Sequence, residues 1–153
     1  MLSKKIEEAI NAQINAEMWS AYLYLSMAAY CHLMGQTGMA RWNEVQFKEE
    51  QDHAKILFNY VIQRNGKVTL SPIKAVPTEW KSLLDVFESI LEHEQKITAM
   101  INNLFALSTE ENAQTIIDNL NMIKDNGFGI FMLDKELGAR VYAQAAPLAN
   151  STL

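Results

Sequence analysis

The sequence predicts an all-α protein, a four-helix bundle with one long crossover. Apolar residues recur three or four apart through most of the chain, the period of a helix face. Gly and Pro are few, six and three in 153 residues, and none falls between Pro77 and Gly127. The segment 65–78 carries Gly66, Pro72 and Pro77 and reads as an extended connection. At ~3.3 Å per residue it spans about 45 Å, and the helix before it, at ~1.5 Å per residue, is about 40 Å long. Such a connection returns the chain to the end from which that helix started, so the helices on either side of it run parallel.

The elements follow in order. The first helix covers 4–33, with a stripe through Ile6, Ile10, Gln13, Glu17, Ser20, Tyr24, Met27 and Cys31. Gly35-Gln36-Thr37-Gly38 is a turn, with Thr37 as N-cap of the second helix. The second helix covers 38–64, with a stripe through Trp42, Gln46, Glu50, His53, Leu57 and Tyr60, and ends at Asn65-Gly66. The third starts at 79 after Thr78 as N-cap, with a stripe through Leu83, Phe87, Ile90, Glu94, Ile97, Ile101 and Leu104. A further helical stretch runs through Ile116, Ile117, Leu120 and Ile123, and a short apolar helix covers 129–142. The tail from Ala145 is expected to fray.

Composition narrows the function. A chain of 153 residues is one domain, 1–153, with room for a real core. Hydrophobic residues make up 49%, which excludes a disordered chain, and a net charge of -5 argues against nucleic acid as a partner. Cys31 is the single cysteine, so an internal disulfide and a Cys-rich metal site are both excluded, and a reducing compartment is expected. No signal peptide or membrane span is legible, which points to the cytoplasm.

The chemistry lies where carboxylates interrupt apolar stripes. Glu17, Glu50 and Glu94 do so on three helices, and His53 follows Glu50 by three residues on the same face. A buried ionised group must be paired or bind a metal. Glu from one helix and Glu-x-x-His from the next is half of a di-iron carboxylate site. Oxygen ligands with one imidazole suit an iron that cycles between ferrous and ferric states. His93 falls off the stripe and is expected at the surface; His32, near a helix end, is expected to cap it. Cys31 and the methionines Met18, Met27, Met34, Met100 and Met122 are expected to pack as apolar residues.

With these residues in view, the chain resembles a bacterial non-haem ferritin subunit. The resemblance covers nearly all of it: Gln13-x-x-x-Glu17 with Tyr24, Glu49-Glu50-x-x-His53, His93-Glu94-Gln95, and a Gly-flanked terminal helix. It implies an iron-storing, cage-forming homo-oligomer with a ferroxidase centre that takes two irons per subunit and uses dioxygen. By the resemblance, Glu17, Glu50 and His53 hold the first iron, Glu50 bridges to a second that Glu94 also holds, Tyr24 packs beside the pair, and Glu49 serves an accessory third site. A second Glu-x-x-His is absent, since Ile97 follows Glu94 by three residues; this sets apart rubrerythrin-like proteins. Gln51 stands where bacterioferritins carry a haem-binding Met, so haem is not expected.

The chain departs from the family where the run Leu104 to Glu111 leads almost directly into Asn112 to Ile117. About twenty residues are absent, and Glu110-Glu111 could belong either to the end of the third helix or to the acidic run of the fourth, which in the family completes the second and third iron sites. The remaining fourteen or so helical residues span only ~21 Å, half of what a return along the third helix requires. Two outcomes are open: a stunted fourth helix started by Ser108-x-x-Glu111, or one helix continuous from 79 to 125. The second requires a neighbouring subunit to complete the bundle, a domain swap that departs from the standard 24-subunit shell. The leading expectation is therefore Fe(II) oxidation and iron storage in a ferritin variant with altered assembly. The alternatives are a non-catalytic ferritin-derived scaffold and a small di-iron redox enzyme without storage.

Overall fold

The computed structural model of the chain describes residues 2–123, in three helices with no strand among them: α1 (Lys4–Leu33), α2 (Thr37–Gln63) and α3 (Leu83–Ile123). The chain divides into two compact units, Met1–Thr109 and Glu110–Leu153. The expected helix at 129–142 lies outside the described residues. None of the described helices is long and apolar enough to cross a membrane.

Local chemistry sets the ends of the helices. Ser3 caps α1 by accepting a hydrogen bond from the Ile6 N–H at 3.2 Å. At its other end Gly35 takes a left-handed φ of 74°, the Gln36 N–H reaches the Cys31 carbonyl and the Gly35 N–H reaches that of His32. This paired pattern satisfies carbonyls that the helix leaves orphaned. α2 ends the same way, with Asn65 rather than Gly66 in the left-handed position at φ 54°. The Gly66 N–H then bonds the Val61 carbonyl and the Asn65 N–H that of Ile62. Gly66 is needed for space: a Cβ there would lie 2.9 Å from Val61 Cγ1 and 3.0 Å from Glu7 Oε2.

Two expected caps are corrected. Thr37 is the first residue of α2 rather than its cap; Gln36 holds the cap position without a side-chain bond. α3 begins at Leu83 rather than 79, and Ser82 replaces Thr78 as the capping side chain. Ser82 Oγ accepts from the Asp85 N–H at 3.1 Å, while Asp85 Oδ2 accepts from the Lys81 N–H at 2.9 Å. The first bond satisfies an orphan donor of the first turn, and the second ties down the residue before the cap.

The connection between α2 and α3 lies along α1 and borrows its side chains. The Asn11 amide donates to the Lys67 carbonyl and its Oδ1 accepts from the Thr69 N–H. Asn15 donates to Ser71 and Pro72, Trp19 to Ala75 and Ser26 to Pro77, all at carbonyls. An extended segment has no ladder of its own, so these donors replace one. The partners advance together along both segments, so the crossover runs parallel to α1. Hence α3 is antiparallel to α1: Val86 and Ile90 pack with Met27 and Cys31 near one end, and Leu104 packs with Ile10 and Val61 near the other.

On α1 every residue of the expected stripe from Ile10 to Cys31 is buried. On α2 and α3 the buried lines are rotated. α2 buries Asn43, Glu50, Ala54 and Val61, leaving Trp42, His53 and Tyr60 exposed. α3 buries Val86, Ile90, His93 and Ile97, leaving Ile101 exposed and Glu94 half-buried. Within Met1–Thr109 only three helical segments share the core, so residues that would face a fourth point to solvent. Met27 is fully buried, whereas Met34 and Met100 are exposed, contrary to the expectation for those two.

No reversal interrupts α3 at Ser108–Thr109. The Thr109 hydroxyl donates to the Phe105 carbonyl at 3.0 Å, four residues back, rather than capping a new helix. Beyond it, the Gln114 amide donates to Asp118 Oδ1 at 2.8 Å, an i,i+4 pair on the helix surface.

Candidate metal centre

Glu17 from α1 and Glu50 and His53 from α2 converge: one donor atom from each lies within 4.8 Å of the others. His53 Nδ1 is 3.7 Å from Glu17 Oε2 and 3.5 Å from Glu50 Oε2. Donors that share one divalent ion at ~2.0–2.2 Å lie about 3–3.5 Å apart, so small side-chain movements bring all three onto a common ion. The i,i+3 spacing of Glu50 and His53 puts both on one face of α2.

The site is buried on one side and open on the other. Glu17 and Glu50 are 2% and 5% exposed, whereas the His53 side chain is 56% exposed. Glu17 Oε1 accepts from the Gln13 amide at 2.6 Å, and Glu17 Oε2 is buried with no hydrogen-bond partner. A buried carboxylate oxygen left alone costs free energy that a cation would offset. Burial, together with the Glu17 carboxyl and the charges of Glu94 and Glu49, pushes the Glu50 pKa up to about 9. Two buried carboxyls cannot both ionise cheaply at this distance without a positive partner. The donor set therefore fits an oxygen-preferring divalent or trivalent ion.

Glu94 stands on α3 beside this group but outside the three-donor cluster. It accepts a short hydrogen bond from the Tyr24 hydroxyl. Tyr24 is fully buried, and burial, with the Glu94 contact second, raises its pKa well above the ordinary phenol value. Glu49 is exposed and accepts from the Gln46 amide at 2.9 Å. The structure thus brings Glu17, Glu50 and His53 together, ties Glu94 to Tyr24, and leaves Glu49 on the surface.

His93, expected at the surface, is 9% exposed. Its Nε2 lies 2.7 Å from Ser20 Oγ, and its ring packs against Trp19 and Tyr24. The Ser20 hydroxyl already donates to the Ala16 carbonyl, so His93 Nε2–H is the donor in this pair. Burial pulls the imidazole pKa down. The sequence held one signal for this: His93 lies three and seven residues from Ile90 and Val86, on a line of its own beside the stripe through Glu94. His32 pairs with Glu44 Oε1 at 2.9 Å in the last turn of α1. Trp42, edge-on to Tyr24 at 6.3 Å, is a neighbour of the site that the stripe alone did not identify.

Comparison with known proteins places the chain. The family model described as a ferritin-like domain matches residues 7–126. The bacterial non-heme ferritin of Bacteroides fragilis (strain 638R) is 36% identical over 161 residues, covering 92% of this chain and 100% of the relative. As 92% of 153 residues is about 141, that alignment leaves about twenty positions without a residue of this chain. A probable bacterial non-heme ferritin-like protein of Haemophilus influenzae is 34% identical, covering 90% of this chain and 96% of the relative. Among solved structures, an open pore ferritin from the archaeon Archaeoglobus fulgidus is similar at a TM-score of 0.71 and 36% identity, covering 92% of this chain and 100% of that one.

Proposed function

Since the chain belongs to the ferritin family, we propose that it stores iron and oxidises Fe(II) with dioxygen in the cytoplasm, in an assembly unlike the symmetric 24-subunit shell. The orphaned, buried Glu17 Oε2 beside Glu50 and His53 is the observation that carries the metal reading.

Fe(II) is the substrate. Glu17, Glu50 and His53 take one ion, and Glu50 reaches toward a second held by Glu94. The Glu50 carboxyl loses its proton as the ion enters, since the incoming positive charge favours the ionised form against the burial that raises its pKa. Tyr24 fixes the Glu94 carboxylate through its hydroxyl, and Gln13 fixes that of Glu17. Glu49, on the surface in the metal-free chain, serves as an accessory ligand in this reading. Two Fe(II) ions each give up one electron, which with two protons reduces dioxygen to hydrogen peroxide. No haem enters this scheme.

The second position has fewer ligands than the first. In this reading its carboxylates are Glu50 and Glu94. Oxidation is therefore expected to be slower than in a ferritin with a complete fourth helix, without a fast phase of two irons per chain. The test is a crystal soaked in Fe(II) or a surrogate ion, paired with stopped-flow oxidation. Anomalous signal between Glu17, Glu50 and His53 is expected; signal elsewhere but none there would overturn the metal site. A complete absence of oxidation with the ion bound would favour the scaffold reading, in which the second site is too incomplete to work.

A further inference from the structure

We propose that the distal half of α3 from a second copy of this chain lies in the open groove of Met1–Thr109, antiparallel to that copy's α3, and covers the exposed side of the metal site. This rests on the metal site and altered assembly proposed above, and it names the surface and the segment that make that assembly.

The groove is built and apolar. Ile10 of α1, Leu57 and Tyr60 of α2, and Ile101, Leu104 and Phe105 of α3 line a cavity of about 260 Å³. Phe105 is 73% exposed, too much apolar surface to leave in water at the mouth of a bundle. Ile56 and His53 continue the same exposed side of α2 toward the metal site.

The occupant follows from α3 itself. α3 is a single helix from Leu83 to Ile123, with no turn after Ser108. Yet residues 110–123 carry a sequence stripe at Ile116, Ile117, Leu120 and Ile123, with Glu110, Gln114 and Asp118 on the opposite side. Gln114 and Asp118 are exposed and bonded to each other, as a solvent face should be. A helix with one apolar face needs a groove, and this chain offers a groove that needs a helix. Two copies related by a two-fold axis near Thr109–Glu110 satisfy both needs at once, because such an interface is self-complementary. The axis fixes the register: residues of the two α3 helices that face each other sum to about 218–219 by this symmetry. Each partner then runs along α3 toward Glu94 and shields His53 from water.

Cysteine cross-linking of the full chain tests this. The pairs F105C/A113C and I101C/I117C each obey the register. Within one helix their members are separated by ~12 Å or more, beyond the ~7 Å Cα limit of a disulfide, so only two copies can form the bond. Cys31 is buried and does not compete. A covalent dimer on a non-reducing gel is expected from at least one double variant and from none of the four single variants. The unmodified chain should scatter light as a dimer or a multiple of one. A monomeric mass, no cross-link from either pair, or equal cross-linking by single variants would overturn the proposal. Co(II) absorbance of the same samples reports the metal site separately. Cobalt binding without cross-links overturns this inference alone, and cross-links without cobalt binding overturn the metal reading.

Discussion

The Tyr24 hydroxyl on α1 donates a hydrogen bond to the Glu94 carboxylate on α3, beside the cluster of Glu17, Glu50 and His53. A buried phenol and a half-buried carboxylate thus hold each other in place from two helices. Tyr24→Phe keeps the ring packing and removes this restraint. Stability should fall by about 1 kcal/mol, the usual net worth of a hydrogen bond, or up to ~3 because the acceptor is charged. Oxidation should slow while cobalt still binds at Glu17, Glu50 and His53. Thermal melts and stopped-flow absorbance read the two effects.

The raised pKa of Glu50 makes the metal-free protein sensitive to pH. Its ordinary value is 4.5 and its folded value about 9, so between these the folded chain keeps a proton that the unfolded chain has released. Stability therefore falls as pH rises through that window and levels off above it. Glu50→Gln should flatten this dependence and abolish ion binding at the cluster. Denaturant melts of the metal-free protein across the window check the first outcome, and cobalt titration the second.

Ser20→Ala leaves the buried His93 Nε2–H without its acceptor. The expected cost is about 1–3 kcal/mol, the desolvation penalty of an unmatched donor. Cobalt binding should be unchanged, because the Ser20 hydroxyl is bonded to the Ala16 carbonyl and His93 rather than to any of the three donors. Denaturant unfolding alongside a cobalt titration separates the two.

Gly66→Ala should destabilise by about 1–3 kcal/mol through overpacking. The new methyl would meet Val61 and Glu7 at 2.9 and 3.0 Å, and Glu7 Oε2 is also the acceptor for the Lys67 N–H at 2.7 Å. The crossover would loosen at its first residue, which hydrogen exchange of the Lys67 and Thr69 amides would detect.

Inserting a flexible Gly-rich turn between Thr109 and Glu110 lets the distal segment fold back on its own chain. Light scattering should then show a smaller particle than the unmodified chain, since a long hinge removes the reason to swap.

What the sequence determined by itself is local in kind. Ile10 to Cys31 recur at helical spacing and α1 buries them; the length of 65–78 requires a crossover, and one runs beside α1. Glu17, Glu50 and His53 were legible because a carboxylate on an apolar stripe is costly wherever the helix packs. The burial of His93 and the rotated faces of α2 and α3 were decided by tertiary structure. Each depends on which neighbour is present: Ser20 gives His93 a partner, while no fourth helix within Met1–Thr109 covers Tyr60, Ile101 or Phe105. Periodicity says that a helix has an apolar face, but only the packing of its neighbours says how much of that face is covered.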